Sequence, residues 1–304
     1  MKNFLITGGA GFVGSHLAEE LIKKGNSVTI LDDLNTGKME NLEKINEKIN
    51  FVKGDIRDSI LLKDIFKDKD GIFHQAARAS VQESFIKSEE YHDINVKGTE
   101  KIFKQANEYG IKVVYASSSS VYGNPDKLPI KEDCPLNPIN PYAQTKVDKE
   151  KLAKEYAVKG LKVIGMRYFN IFGERQSKEY AGVVKLFLEC VQNKLPPKIN
   201  GDGLQARDFV FVKDVVRANI MAMESNIDHD FFNVGTNTNI SMINLAKTMI
   251  NAANLDINPI FGPPLEGDVK FTIADINLIK KSLNWYPTIT IEEWLKDKIS
   301  NLNN

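Results

Sequence analysis

Thr7-Gly8-Gly9-Ala10-Gly11-Phe12-Val13-Gly14 is the stretch that decides how this chain folds. It joins an apolar run, Asn3–Thr7, to a helical pattern, Val13–Lys24, and spaces glycines 8, 11 and 14 as GxxGxxG. Glycines at such a strand-to-helix turn permit a sharp bend, close approach of the backbone to a pyrophosphate, and tight packing of helix on strand. The helix N-terminus then offers free N–H groups and a positive dipole end to phosphate. The triplet alone is a weak signal, so its surroundings decide. A second apolar run, Ser27–Leu31, leads into Asp32, 18 residues past Gly14. A carboxylate there accepts hydrogen bonds from adenosine ribose hydroxyls and repels a 2′-phosphate, which favours NAD over NADP.

The alternation continues outward. Further strands are predicted over Asn50–Lys53, Gly71–His74, Lys112–Ala116 and Leu161–Arg167, and helices over Ser59–Phe66, Ser88–Tyr109 and Pro141–Val158. Continuous apolar strands between helices predict an α/β fold with a doubly wound parallel sheet. Past about residue 170 the pattern loosens into amphipathic helices at Val183–Asn193, Val215–Ser225, Met242–Ala253 and Ile291–Ile299. Short strands at Asp208–Val212 and Phe231–Val234 interrupt them. The expected division is a dinucleotide-binding domain over 1–170 and a smaller mixed α/β lobe over 171–304, with the chain free to cross between them more than once. Trp285 and Trp294 are expected to pack that lobe, Lys38–Lys53 to present a solvated helix face, and 300–304 to fray.

Composition narrows the function. The 304 residues carry 40 Lys+Arg against 40 Asp+Glu, with 42% apolar and 26% charged residues. These proportions exclude a disordered or collagen-like chain. The balance also lacks the basic excess of a nucleic-acid binder. Two cysteines, Cys134 and Cys190, form no CxxC pair, so neither a metal site nor a disulfide framework is expected, in keeping with a reducing compartment. No targeting segment or bilayer-length apolar run is visible, and the expected location is cytoplasmic.

Tyr142-Ala143-Gln144-Thr145-Lys146 places a tyrosine and a lysine at i and i+4, on one face of a predicted helix. A lysine so placed can lower the phenol pKa by stabilising phenolate, making tyrosine a usable base near neutral pH. The spacing recurs by chance; its position gives it weight. It lies 24 residues past Ser118, in a serine run that closes the fifth predicted strand, where open α/β sheets bind ligands. A Ser118 hydroxyl there can share a proton between Tyr142 and a substrate oxygen. His74 closes a strand and is expected to be packed rather than catalytic.

With these residues in place the chain resembles the extended short-chain dehydrogenases/reductases of the NAD-dependent sugar epimerase/dehydratase family. The matching residues are Gly8, Gly11, Gly14 and Asp32; Gly54-Asp55-Ile56; His74-Gln75-Ala76-Ala77; Asn95; Ser117–Gly123; Tyr142 and Lys146; Arg167-Tyr168-Phe169-Asn170; and Arg207-Asp208-Phe209. The resemblance runs to the GDV…AD segment at 267–275. It implies a Rossmann-type NAD-binding domain and a nucleotide-sugar lobe. Phe12 and Val13 belong with the glycine loop; Asp55 and Ile56 would flank adenine; Gln75, Ala76 and Ala77 would line pyrophosphate and ribose; Asn95 is carried over as cofactor-binding. Lys146 would also hold the nicotinamide ribose. Ser118, Ser119, Asn170 and Arg207 would contact a UDP-sugar, Asn170 and Arg207 at its diphosphate.

Members of the family begin by oxidising the sugar at C4. Dehydratases carry an Asp-Glu pair where this chain has Ser119 and Ser120, and UDP-glucuronate decarboxylases a Glu where Ser120 stands. The resemblance therefore implies a 4-epimerase acting on UDP-glucose/UDP-galactose and, with small Thr272 at the gating position, on UDP-GlcNAc/UDP-GalNAc. UDP-glucuronate 4-epimerases share the ASSSSVYG string and form an alternative, as do dehydratases or decarboxylases of the family and a non-catalytic nucleotide-binding protein. Leu265 stands where family members carry a diphosphate-contacting arginine, a place Lys270 or Arg175 would have to fill. A homodimer packed through the helices at Ser88–Tyr109 and Pro141–Val158 is also implied.

Overall fold

The structure, a computed structural model, describes residues 1–176 and 182–300. In the first half β1 (Asn3–Thr7), α1 (Phe12–Lys23), β2 (Ser27–Asp32), β3 (Ile49–Lys53), α2 (Ser59–Ile65) and β4 (Gly71–His74) lead to α3 (Val81–Ile86), α4 (Ser88–His92) and α5 (Thr99–Tyr109). Then come β5 (Val113–Ser118), α6 (Pro141–Val158), β6 (Val163–Tyr168) and β7 (Asn170–Phe172). The second half holds α7 (Val183–Gln192), β8 (Lys198–Asn200), β9 (Ala206–Arg207), β10 (Phe209–Phe211), α8 (Val212–Glu224) and β11 (His229–Val234). It ends with β12 (Ile240–Ser241), α9 (Met242–Ala252), β13 (Ile260–Gly262), α10 (Asn277–Leu283) and α11 (Ile291–Ser300).

Seven strands form one parallel sheet in the order β11-β6-β5-β4-β1-β2-β3. The order reverses between β1 and β4, which opens a crevice beyond their carboxyl ends. Apolar clusters cover both faces: Ile6, Ile30 and Phe73 belong to one, Leu5, Ile72 and Tyr115 to the other. A third cluster, with Phe187, Phe209, Leu245 and Leu295, sits among α7, β10, α9 and α11. No helix among the described residues is long and apolar enough to cross a membrane.

Several expectations need adjustment. The seventh strand, β11, expected in the smaller lobe, joins the main sheet beside β6, one of the crossings that the division at residue 170 leaves open. The helix expected over Ser88–Tyr109 is broken by a π segment, Asp93–Gly98, between α4 and α5. Within Lys38–Lys53, a 3₁₀ run over Met39–Lys48 buries Leu42 and Ile45, and the rest is β3. Trp294 borders the third cluster, whereas Trp285 packs with the sheet-side cluster beside α8. Of the expected frayed end, 301–304 lies outside the described residues.

Trp285 is fully buried and donates its indole N–H to the Asp214 carbonyl at 2.9 Å. Trp285→Ala is expected to cost about 3–5 kcal/mol, read as a lower urea midpoint.

Candidate active site

The crevice between β1 and β4 is lined by Gly8, Gly11, Phe12, Val13, Gly14, Asp32, Asp55, Ile56, Gln75, Ala76, Ala77, Ser118, Tyr142, Lys146 and Asn170 from the sequence-predicted set. Gly8 adopts φ +71°, and a Cβ there would lie 2.7 Å from the Ala76 nitrogen. A Cβ on Gly14 would lie 2.2 Å from the Gly8 carbonyl oxygen. These two glycines are demanded by the fold. A Cβ on Gly11 would meet only the Gly8 carbonyl, at 3.2 Å, and would otherwise enter the crevice. Gly11 precedes α1, which starts without a side-chain cap, so its first amides remain available to an anion.

Asp32 is held as a two-oxygen acceptor. One oxygen accepts the Ala10 amide and the other the Leu34 amide, both at 2.9 Å. Each oxygen keeps a lone pair for one hydroxyl of a vicinal diol. Burial pushes its carboxyl upward, and the two amides oppose that shift. The cradle at Gly11, the open helix end and this carboxylate fit the pyrophosphate and adenosine ribose of NAD. Asp55 stands further along the wall with its carboxylate engaged by Arg57, at 3.0 Å from Nε and 2.6 Å from Nη2. Gln75 is pinned by the Tyr168 hydroxyl, which donates to its Oε1 at 3.0 Å.

At the other end Asn140 caps α6 by accepting the Ala143 amide at 2.8 Å, with Pro141 in the first turn. This fixes Tyr142 and Lys146 one turn apart. The Lys146 ammonium stands 5.4 Å from the centre of the Tyr142 ring and donates to the Ala116 carbonyl at 3.1 Å. Burial pushes the Tyr142 phenol up, opposed by a hydrogen bond with Ser118. Burial also brings the Lys146 ammonium down to about 8, opposed by Glu150. The expected lowering of the phenol by its lysine is not seen: burial is the larger cause, and Ser118 is the group that opposes it.

Four predicted contacts are placed differently. Asn95 is fully buried: its Oδ1 accepts the Arg78 amide at 2.8 Å and its Nδ2 donates to the Arg78 carbonyl and Thr145 hydroxyl. It shapes the wall from behind. Ser119 begins a 3₁₀ turn and is not among the lining residues. Arg207 is buried with its guanidinium on the Ala206 and Lys270 carbonyls and, at 2.5 Å, on the Asp268 carboxylate. Thr272 is 3% exposed, and its hydroxyl accepts the Asp208 amide at 3.1 Å. It supports β10 rather than facing the crevice. Arg175, a candidate substitute cation, turns back to Glu19 and Ser15 of α1.

Lining residues missed from the sequence include Arg78, Ile94, Ser117 and Phe209. Ser117 and Phe209 lay inside quoted motifs. Arg78 directly follows one and carried no periodic or charge-pair signal. His74 is packed as expected, between the hydroxyls of Thr7 and Thr99 at 2.7 and 2.8 Å.

Fold and crevice together define an NAD-binding α/β enzyme. The model of the NAD dependent epimerase/dehydratase family matches residues 4–235, and the chain belongs to that family, whose cofactor is NAD. It is 40% identical over 305 residues to a putative UDP-glucose 4-epimerase of Methanocaldococcus jannaschii, covering 99% of this chain and 98% of that one. A solved UDP-glucose 4-epimerase from Thermotoga maritima, holding UDP-glucose, superposes with TM-score 0.94 at 35% identity, over 99% and 98% of the two chains. A UDP-N-acetylglucosamine 4-epimerase from Methanobrevibacter ruminantium, solved with UDP-N-acetylmuramic acid, gives TM-score 0.93 at 37% identity, over 98% and 97%.

The two kinds of glycine are separable by experiment. Gly14→Ala is expected to lower thermal stability by about 1–3 kcal/mol through the clash with Gly8. Gly11→Ala is expected to keep the melting temperature near wild type while weakening NAD binding at least tenfold by calorimetry. Equal effects of the two substitutions on stability and on NAD would refute this assignment.

Proposed function

We propose that this chain is a UDP-sugar 4-epimerase. One observation carries the reading: among the described residues the carboxylates lining the crevice are Asp32, Asp33 and Asp55, at the ends of β2 and β3, remote from Tyr142. The Ser118 hydroxyl stands beside Tyr142 and accepts from the Ser120 hydroxyl at 2.9 Å. This set can take one proton from a sugar hydroxyl and return it. Among the described residues this set supplies no carboxyl for the additional acid–base steps of eliminating water or assisting loss of a carboxylate. The similarity to epimerases supports the same class.

In this reading Tyr142 removes the 4-hydroxyl proton, with Ser118 bridging the two oxygens. Lys146 steadies the phenolate by its charge. The Gly11 turn, the open end of α1 and Asp32 would hold NAD, which would supply reversible hydride acceptance at C4 of the sugar. The crevice must therefore let the 4-keto sugar turn while its nucleotide stays anchored. Arg207, with Asn170 on the wall, is the proposed anchor for the diphosphate; guanidinium matches phosphate as a forked, permanently charged donor. Its pairing with Asp268, a carboxylate 40% exposed, is wet enough to exchange for that ligand. Both the glucose and the N-acetylglucosamine series are proposed as substrates, since Thr272 is small and held back against Asp208.

The test is proton NMR after incubation with UDP-glucose, UDP-GlcNAc and, separately, UDP-glucuronate. A fixed ratio of C4 epimers without net NADH supports the reading; a 4-keto or pentose product overturns it. Turnover confined to UDP-glucuronate would select the uronate reading. Tyr142→Phe is expected to cut kcat by about 10²–10⁴ while NAD binding persists. Arg207→Ala is expected to raise KM about tenfold or more with kcat little changed, reflecting a lost charge-assisted contact. An unchanged KM would remove Arg207 from the substrate site.

A further inference from the structure

Beneath the Tyr142–Lys146 pair lies a cluster of charges in the protein interior. Glu150 follows Lys146 by one helical turn and is 1% exposed; Arg167, on β6, is 3% exposed. Arg167 grips Glu150 with both prongs, Nε to Oε1 at 2.9 Å and Nη2 to Oε2 at 2.7 Å. Ser117, at the end of β5, donates to the same Oε1 at 2.7 Å. The third prong of Arg167 reaches the Tyr122 hydroxyl and the Glu132 carbonyl, both at 2.7 Å. Removing two charges from water is costly, and an apolar pair of the same volume would serve stability as well. Stability alone therefore does not explain this pair.

We propose that the buried Glu150–Arg167 pair is a positioning element that keeps the positive charge on Lys146 under Tyr142 and sets the pH range in which that charge persists. The proposal rests on the epimerase reading for its catalytic consequence, though not for its electrostatics. Lys146 is almost wholly enclosed, and its hydrogen-bond acceptor among the described residues is a neutral carbonyl. Burial drives its proton off, and Glu150 is the group that opposes this. Arg167 in turn limits how much of the Glu150 charge Lys146 feels. The pair thus acts as a graded counter-charge, stronger if Arg167 is removed and lost if Glu150 is removed.

The other groups facing this cluster do not supply that counter-charge. On α6, Lys149 is fully buried 3.5 Å from the same Ala116 carbonyl; burial, then Lys146, hold its amine well below the ordinary lysine value. On β4, burial together with Lys149 and Lys146 holds His74 well below the ordinary histidine value. On β5, the Tyr115 phenol is pushed well up by burial and has no hydrogen-bond partner among the described residues. Tyr122 is likewise raised by burial. Glu132, raised to about 7 by burial, spends its carboxylate on the Asn233 amide at 2.9 Å, with Asp275 beyond it.

The sign is fixed for each variant. Without Glu150 the uncompensated Arg167 and lost carboxylate both lower the Lys146 pKa. The alkaline limb of kcat in the NAD-loaded enzyme should then move down. For Glu150→Gln a shift of about one unit gives roughly a fivefold loss at pH 8 and less than twofold at pH 6, each against wild type at that pH. Arg167→Met should move the limb up, and Glu150→Asp should leave it near wild type. Ser117→Ala, which removes a hydrogen bond but no charge, should not move it. The charge-neutral double variant, Glu150→Gln with Arg167→Met, is expected to fold and to shift the limb down by less than Glu150→Gln alone. A pH-independent loss in Glu150→Gln, limbs moving the same way in Glu150→Gln and Arg167→Met, or an unmoved limb in the double variant overturns the proposal. A second readout needs no turnover. The ¹³Cε resonance of Lys146, assigned by its absence in Lys146→Met, reports the ammonium directly, and its midpoint should fall in Glu150→Gln. If no UDP-sugar is converted but this midpoint shifts as stated, the substrate reading falls and the proposal stands. If sugars are converted and the midpoint stays fixed, the reverse holds.

Discussion

The closeness of Gly14 to the Gly8 carbonyl is the constraint on which the rest of the site depends. A single methyl group at residue 14 would intrude to 2.2 Å, so α1 can begin this near β1 only with glycine there. That approach aims the uncapped end of α1 at the gap between β1 and β4. The same loop orients its neighbours. The Ala10 amide fixes Asp32, while the Ala10 carbonyl accepts the Lys38 amide at 3.0 Å and the Asn41 side chain at 2.8 Å. Phosphate cradle, ribose carboxylate and the segment after β2 are therefore parts of one hydrogen-bonded turn. Movement in any of them is transmitted to the others.

At the opposite end of the crevice the governing physics is charge rather than shape. α6 turns Lys146, Lys149 and Glu150 inward while Val158, in its last turn, is 91% exposed. Such a helix gains little from an apolar face. Its start is fixed instead by the Asn140 cap and Pro141, and its place by contact with β5 and β6. Buried ions demand satisfied partners, and here those partners are the strand ends themselves: Ala116, Ser117 and Arg167. The catalytic end of the sheet and the charged face of α6 hold one another in register.

How much of this was legible follows from what each residue type advertises. Parallel strands between helices are apolar throughout, so β1 to β6 stood out within a residue or two. β11 was seen as a short strand of the small lobe, because nothing local in Phe231–Val234 says that it pairs with β6, some sixty residues earlier. The break at Asp93–Gly98 was invisible because a π segment keeps helical composition; its signature is Asn95 turned onto the Arg78 backbone, a tertiary contact. The glycine loop, Asp32, Ser118, Tyr142 and Lys146 could be found because backbone geometry or proton chemistry restricts what can stand there. Arg207 and Thr272 carried the right chemistry but not their orientation. A guanidinium reads the same in sequence whether it faces a ligand or Asp268.

The segment after β13 shows why that distinction matters. Gln82 of α3 donates to the Glu266 carbonyl at 3.0 Å, Asn140 donates to the Gly267 carbonyl at 3.3 Å, and Asn124 accepts the Lys270 amide at 2.8 Å. Residues 266–270 are thus tied by backbone to both sides of the cap of α6, and Asp268 is carried to Arg207 by the same strap. Leu265 lies just outside these ties with its side chain 45% exposed, so its side chain is not needed to hold the strap down. In the proposed reading a diphosphate arriving at Arg207 meets a carboxylate already there, and the two anions cannot share the guanidinium without repulsion. Asp268 must swing away or give its second oxygen to a hydroxyl of the incoming ligand. Either response acts on the strap, whose anchors include Asn140, the residue that caps α6. In that reading the route from the nucleotide to the cap of α6 runs through one ion pair, Arg207 to Asp268, and two hydrogen bonds, Asn140 to the Gly267 carbonyl and the Ala143 amide to Asn140.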